Sequence, residues 1–550
     1  MSRFNTRSSR PAVRGPLTTT GERTTTFEGG AGHVRTARSE LFLLAVSNMV
    51  GQGTFYESAE GRDSRYVQLV RQLAVEDPAW TVGLLGWLRG SANMRTAAVV
   101  GAAEFVKARL AATAAGDLAP DDAAATAAGG GWNRRAVDAV LLRADEPGEL
   151  LGYWTSQYGR ALPKPLKRGV ADAVRRLYNG KSLLKYDTAS HGYRFGDVLN
   201  LVHATPDPDK PWQGDVFAHA LDRRHHPDTA VPPASNRTLT ARAALMAVPV
   251  AERRALLLAP HGPEQLAAAG MTWEALAGWL QGPMDAAAWE AVIPSMGLMA
   301  LARNLRNFDE ACVSDKTAEW VSGRLADPEE VRASRQFPYR FLSAYRAAPS
   351  LRWSWALEQA LAAAAANVPA LAGRTLVLVD TSASMRDKVS AQSQVRHVDV
   401  AALFGLVVAR RSAGTVDVVG FADGSFVHPV TKGGSVLSEM ARFDQRIGEV
   451  GHGTATFEAV RRHYAGHDRV VIFHDGQYGW FQSAWPDLSR ALPPTVPLFS
   501  VDTSGYAPGP LDTSQPGRYE IGGFSDAAFT MIDLLSRGRD AGWPWELPAV

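Results

Sequence analysis

The sequence predicts a two-part fold: an all-α, HEAT-like array of helical repeats followed by a doubly wound α/β domain. From about Glu40 to Asn367, apolar residues recur at spacings of three and four between Pro, Gly and Asp breaks, and β-branched runs of period two are scarce. After Leu371 the grammar changes, and TLVLVD, TVDVVGFAD, RVVIFHD and VPLFSVD follow one another with helix-like segments between them. Continuous apolar runs of this kind are strands buried on both faces, which marks a parallel sheet covered by crossover helices. The chain has 550 residues, 46% of them hydrophobic, enough for two to four cores on the usual scale of roughly 100 to 200 residues per domain.

In the helical part, the stretches Ser64 to Ala74, Arg134 to Arg143 and Trp353 to Ala366 are rich in Leu, Ala, Val and Arg. Short helices with short breaks predict antiparallel pairs that stack, although no repeat of fixed period stands out. Two stretches read as surface insertions: the Ala/Gly/Asp run from Ala111 to Gly131 and the Pro/Asp/His run from Thr205 to Pro233. The first thirty residues hold Arg3, Arg7, Arg10, Arg14 and Arg23 among Ser, Thr and Gly without an apolar core, which argues against a secretory signal and for a disordered basic arm. The expected organisation is therefore an arm over 1–30, a helical-repeat domain over 31–368 and an α/β domain over 369–550.

Bulk composition narrows the function classes. The net charge is only +2 with 21% charged residues, so attraction to nucleic acid has to come from local clustering. The single cysteine, Cys312, excludes an intramolecular disulfide and a multi-cysteine zinc site; a reducing cytoplasm is the simplest compartment, with Cys312 expected as buried packing. No window reaches the roughly 18 consecutive apolar residues that a membrane span needs, so no membrane partner is expected.

The first strand runs into TSASM, which places Asp380, Ser382 and Ser384 at alternate positions of the turn leaving it. Thr454 in GHGTATFEA and Asp475 at the end of RVVIFHD add oxygens from two later loops. A hard divalent cation, Mg²⁺ above all, accepts such a mixture of carboxylates, hydroxyls and retained waters. The competing structural reading is that the serines cap the next helix and Asp380 merely ends a strand. The neighbouring His474 reads as packing, since imidazole is a poor Mg²⁺ ligand. This pattern, DxSxS and then Thr and Asp, resembles the metal-ion-dependent adhesion site of von Willebrand factor A domains. That resemblance implies an open coordination position that accepts an acidic group from a partner, in a recognition module and not a catalyst.

A second feature lies between Leu151 and Asn200, where Arg160, Lys164, Lys167, Arg168, Arg175, Arg176, Lys181, Lys185 and Arg194 face only Asp172, Asp187 and Asp197. The local excess of six is three times the charge of the whole chain. A helix is predicted to begin near Pro165, with Lys164, Arg168 and Arg175 on one stripe and Leu166, Val170, Ala173 and Leu177 opposite. A solvated helix face is the plain reading of such a stripe. The next segment adds Lys185, Tyr186, His191, Tyr193, Arg194 and His203, interleaving charges for phosphates with rings for unpaired bases, which favours RNA.

LPKPLKRGVADAV, LLKYD, GDVLNLVHATP, MGLMALARNLRNF and FPYRFLSAYRA, passing directly into LVLVDTSASM, resemble the TROVE module and von Willebrand domain of the Ro ribonucleoprotein autoantigen family, bacterial members in particular. The resemblance implies a ring of helical repeats bridged by the von Willebrand domain. It implies Y RNA bound on a basic outer face and single-stranded 3′ ends of misfolded RNA in a central hole. Lys164, Lys167, Arg168 and His203, with Arg160 nearby, match the outer-face contacts; Arg303 and Asn304 are RNA candidates whose plain alternative is a helix-packing pair. Some bacterial relatives work with an exoribonuclease through a Y RNA tether, although no residue here identifies such a partner. A protein-interaction module built on the metal site alone is the alternative. A metal-dependent hydrolase has little support, because the crevice offers only two carboxylates and no oriented base, and no GxxxxGK[ST] phosphate loop is present.

Overall fold

A computed structural model describes residues 13–47, 50–366, 368–391, 393–431, 434–477, 487–523 and 529–547. The chain forms two compact units. One takes the described residues up to Leu69, Phe337–Ser343 and those from Ala360 onward; the other takes Val70–Gln336 and Ala344–Gln359. These units do not follow the boundaries expected at residues 30 and 368, because the amino-terminal segment folds with the carboxy-terminal sheet domain.

The helical unit packs by close approach. The helix Gly131–Val140 contacts Pro78–Gly90, Arg95–Ala115 and Lys164–Leu177. Gly169 makes the last of these contacts possible, because a Cβ there would lie 2.6 Å from that of Val137. The two stretches expected as insertions are in fact helical. Arg95–Ala115 runs through the start of the first and Pro120–Ala127 fills its middle. The buried Arg109 ties them together, donating to the Ala74 carbonyl at 2.9 Å and to Asp122. The second stretch contains the helix Gln213–His225, whose Gln213 side chain donates to the Arg175 carbonyl at 2.9 Å. Ala-rich composition suggests a loop when it is broken by Gly and Asp, yet Ala is the best helix former and Pro120 suits a first turn. Cys312 is exposed, contrary to expectation. It occupies a left-handed position (φ 55°) just beyond the helix Leu298–Glu310, which turns its side chain outward.

The sheet unit holds β1 (Thr19–Thr25), β2 (Ala31–Arg35), β3 (Arg374–Asp380), β4 (Thr415–Phe421), β5 (Ser425–His428), β6 (Arg469–His474), β7 (Leu498–Asp502), β8 (Pro508–Gly509) and β9 (Arg518–Gly522). The main sheet has the order β5-β4-β3-β6-β7-β9, parallel except for β5 at its edge. Leu376, Leu378, Val470 and Ile472 enter one core with Val460 and Leu498. On the other face, the buried helix His397–Arg411 brings Gly405 against Val377, Val379 and Phe473. With both faces covered, no polar residue can alternate along these strands, which is why they read as continuous apolar runs. The chain leaves β3 first toward β4 and later returns beside β3 as β6. The carboxyl ends of β3 and β6 therefore flank the topological switch point, where open α/β sheets bind ligands.

The small sheet β1-β2-β8 explains why the amino-terminal segment belongs here. β1 and β2 form an antiparallel hairpin, so the expectation of a disordered arm gives way over Thr19–Thr25. Its Arg3, Arg7 and Arg10 lie outside the described residues. The buried Arg35 of β2 pairs with Glu520 at 2.9 Å and Asp502 at 3.1 Å, a fixed anchor for a segment whose composition suggests mobility.

His397 is buried, and burial lowers its imidazole from the usual 6.5 to about 4. The unfolded chain takes up this proton at higher pH than the folded one, so stability is complete above pH 6.5 and falls as the pH drops toward about 4. Urea midpoints at about pH 7.5 and about pH 5 should differ by about 2 kcal/mol from this group. His397→Gln should reduce the difference; identical pH dependence in that variant would contradict the assignment.

Candidate metal crevice and nucleic-acid interface

Val379 pairs in register with Phe473 of the adjacent strand β6, so Asp380 ending β3 and Asp475 just past β6 emerge at the same carboxyl edge, one residue apart in register. One oxygen of each is committed locally: Asp380 Oδ1 accepts the Ser382 N–H at 2.8 Å, and Asp475 Oδ1 accepts the Gln477 N–H at 3.0 Å. The second oxygen of each is buried with no hydrogen-bond partner. Ser382 and Ser384 place their hydroxyls 3.3 Å apart in the same turn, and Ser384 also reaches Asp475. Thr454 is buried in a loop held against this turn by the Ala383 N–H, which donates to the His452 carbonyl at 2.9 Å. Gly451 (φ 97°) permits that approach, since a Cβ there would strike the Asp423 carboxylate, which accepts the His452 N–H at 2.8 Å.

All five sequence-predicted donors thus lie buried on loops at one sheet edge. Burial, and then the charge of Asp475, pushes the Asp380 carboxyl well above its ordinary range; burial also pushes Asp475 up to about 7. Two desolvated carboxylates with idle oxygens form a costly arrangement that a cation between them would relieve. His474 is not a free donor, because its Nδ1 accepts the Gly476 N–H at 2.7 Å and its Nε2 lies 2.8 Å from Ser500 Oγ. Burial lowers it to about 4, so it is neutral, and its packing role agrees with the sequence reading.

The crevice's remaining wall carries no sequence signature. Tyr56 reaches Ser384 and the field of Asp475, and its hydroxyl donates to Glu28. Burial, followed by that bond and those charges, raises the phenol far above its ordinary value. Phe27 stacks on Tyr56 at 5.7 Å and meets Tyr506 edge-on at 5.5 Å, while its N–H donates to Gln477 at 2.7 Å. No motif marks these residues, because they come from the segment read as an arm and from a short loop before it joins the helices.

In the helical unit, the basic helix starts at Lys164 with Pro165 in its first turn, as predicted, and buries Leu166, Val170 and Ala173. Of the nine cations in the window, Arg176 pairs with Asp138 at 2.6 Å and Arg194 with Asp187 at 2.8 Å. The other seven have no carboxylate partner among the described residues. Arg160, Lys164, Arg168, Lys181 and Lys185 are exposed, and Lys167 is half-buried. Arg168 donates to the Ala128 carbonyl, whereas Arg175 donates to the Thr205 carbonyl at 2.8 Å, so both keep an uncompensated charge. Lys185 lies 5.1 Å from the Tyr186 ring. His203 is exposed in a left-handed cap (φ 55°) that closes the helix Phe195–Val202.

Two candidates fall to structural roles. Arg194 sits in a buried network with Asp187 and Arg223, and Asp187 also accepts the Phe195 N–H at 2.9 Å. Asn304 is buried, with its amide donating to the Ala300 carbonyl and accepting from Asn307, each at 2.8 Å, while its neighbour Arg303 is exposed. Helical spacing cannot tell which of two adjacent polar residues faces inward.

The fold defines the class: a helical-repeat protein carrying a von Willebrand factor A-type domain. Residues 268–388 match the TROVE domain family, a span that holds Arg303, Asn304 and the Asp380–Ser384 turn but not the basic helix. The crystal structure of the Deinococcus radiodurans Ro (RSR) protein is similar at a TM-score of 0.59 and 20% identity, over 92% of this chain and 100% of that one. The family match covers part of the chain, and the likeness to the solved structure is one of fold. No curated protein matches.

If Arg194 is structural, Arg194→Ala should cost about 2 kcal/mol in chemical denaturation by leaving Asp187 buried with one weaker partner. Lys164→Ala should change stability by less than about 0.5 kcal/mol. Equal effects of the two would remove the distinction.

Proposed function

We propose that this chain is an RNA-binding protein of Ro type that displays a cationic stripe on the helix Lys164–Leu177 to the phosphates of a folded RNA. One observation carries the reading: of nine clustered cations only two are paired with carboxylates among the described residues, and four of the other seven, Arg160, Lys164, Lys167 and Arg168, lie around one helix start. A merely solvated face would pair more of its charges at no functional cost. The TROVE match and the Ro-like fold are consistent with RNA as the partner.

The finer reading is a small structured noncoding RNA, Y-like, held by Arg160, Lys164, Lys167, Arg168, Arg175, Lys185 and His203. Single-stranded RNA ends are a second ligand class, for which Arg303 is the remaining candidate of its pair. The protein would then act as a cytoplasmic scaffold in RNA processing or quality control, with any exoribonuclease joined through the RNA. Among the described residues no helix is long and apolar enough to cross a membrane. Replacing Lys164, Lys167 and Arg168 together with Ala should lower the salt dependence of RNA binding by about 2 to 3 in log–log slope, because each phosphate contact releases roughly one counterion. An unchanged slope in filter binding or fluorescence titration would remove the RNA from this face.

The donors of the crevice fit a divalent cation, most naturally Mg²⁺. Asp380, Ser382, Ser384, Thr454 and Asp475 would hold it, and the two idle carboxylate oxygens are the support for that reading. A bound cation would supply charge for recognising an acidic group, whereas the residues themselves do no chemistry. A purely metal-dependent protein-interaction module rests on the same oxygens and differs in needing no RNA. Asp380→Ala should abolish Mg²⁺ and Mn²⁺ binding in calorimetry while leaving RNA affinity intact; undiminished metal binding would refute the site.

A further inference from the structure

The open position of an adhesion-type crevice is ordinarily supplied by another molecule, but here the chain brings its own acid to the rim. The β1–β2 hairpin closes in a tight turn, with the Thr26 N–H bonded to the Gly30 carbonyl and the Gly29 N–H to the Thr26 carbonyl, both at 2.9 Å. Gly29 is left-handed (φ 82°), and the Gly30 N–H also donates to Thr26 Oγ1 at 3.0 Å, so the tip is rigid. Glu28 stands at that tip, half-buried.

Three contacts hold the tip over the crevice. The Phe27 N–H donates to Gln477 at 2.7 Å, and the Gln477 N–H in turn holds Asp475 at 3.0 Å. Phe27 packs between Tyr56 and Tyr506. The Tyr56 hydroxyl bridges the two sides, donating to Glu28 Oε1 while lying within reach of Ser384. Only one oxygen of Glu28 is taken by that bond, and the other is available.

We infer that Glu28 is the intramolecular acidic ligand of the crevice, its free oxygen completing the coordination of a divalent cation held by Asp380, Ser382, Ser384, Thr454 and Asp475. This rests on the metal reading above and adds a consequence: metal binding clamps the amino-terminal hairpin to the sheet domain. An external acidic partner would have to displace Glu28, so the hairpin also acts as a built-in competitor. Tyr56 is the positioning residue, keeping one carboxylate oxygen occupied so that the other points to the cation.

The test uses the full chain, Mn²⁺ as probe, calorimetry for affinity and amide hydrogen exchange of residues 19–35 for the clamp. In the unaltered chain Mn²⁺ should bind and slow exchange in the hairpin; Asp380→Ala should bind none. Glu28→Gln should weaken Mn²⁺ by about tenfold or more and abolish the metal-dependent protection, with hairpin exchange in the metal-free protein unchanged. Glu28→Asp keeps the charge but shortens the reach, and should weaken Mn²⁺ as well. If Glu28→Gln, or Glu28→Asp, retains full affinity and full protection while Asp380→Ala loses binding, the inference is overturned and the metal site stands. If the unaltered chain fails to bind Mn²⁺, the metal reading falls and the inference falls with it.

Discussion

Two carboxylates, Asp380 and Asp475, lie buried at the carboxyl ends of adjacent parallel strands, each with one oxygen bonded and one idle. An unpaired buried charge is among the costliest features a fold can keep, so the surroundings have to be arranged to tolerate it. Much of the sheet domain serves that arrangement. The parallel pairing of β3 and β6 brings the two groups to one edge, Gly451 lets the third loop close on the turn, and backbone N–H groups partly solvate each carboxylate.

The same constraint accounts for the amino-terminal segment. A hairpin of Thr, Gly and Arg has little apolar surface with which to hold a position, yet it is fixed by polar and aromatic anchors. Arg35 is buried between Asp502 and Glu520, Phe27 sits among tyrosines, and Gln477 takes the tip's N–H. These anchors converge on the sheet edge that carries the crevice. The helical unit answers to a different requirement. There Asp187 is buried and holds Arg194 and Arg223, while the cations at the start of the helix Lys164–Leu177 have no carboxylate partner among the described residues.

Local sequence alone sufficed for the strands ending in Asp, because burial on both faces leaves an apolar run that nothing else produces. It also sufficed for the helix at Lys164, where proline and a clean apolar stripe mark both start and face, and it singled out five oxygens that the fold buries. What it could not decide were matters of partnership. Whether Arg194 pairs with Asp187, whether Asn304 bonds within its own helix, and whether Cys312 is covered depend on side-chain placement and on a single left-handed residue. The hairpin at residues 19–35 and the approach of Glu28 and Tyr56 to the crevice were likewise settled by tertiary structure. Contacts spanning tens to hundreds of residues leave no periodicity in either segment, since the hydrogen bonds and ring contacts that fix them depend on geometry and not on local pattern.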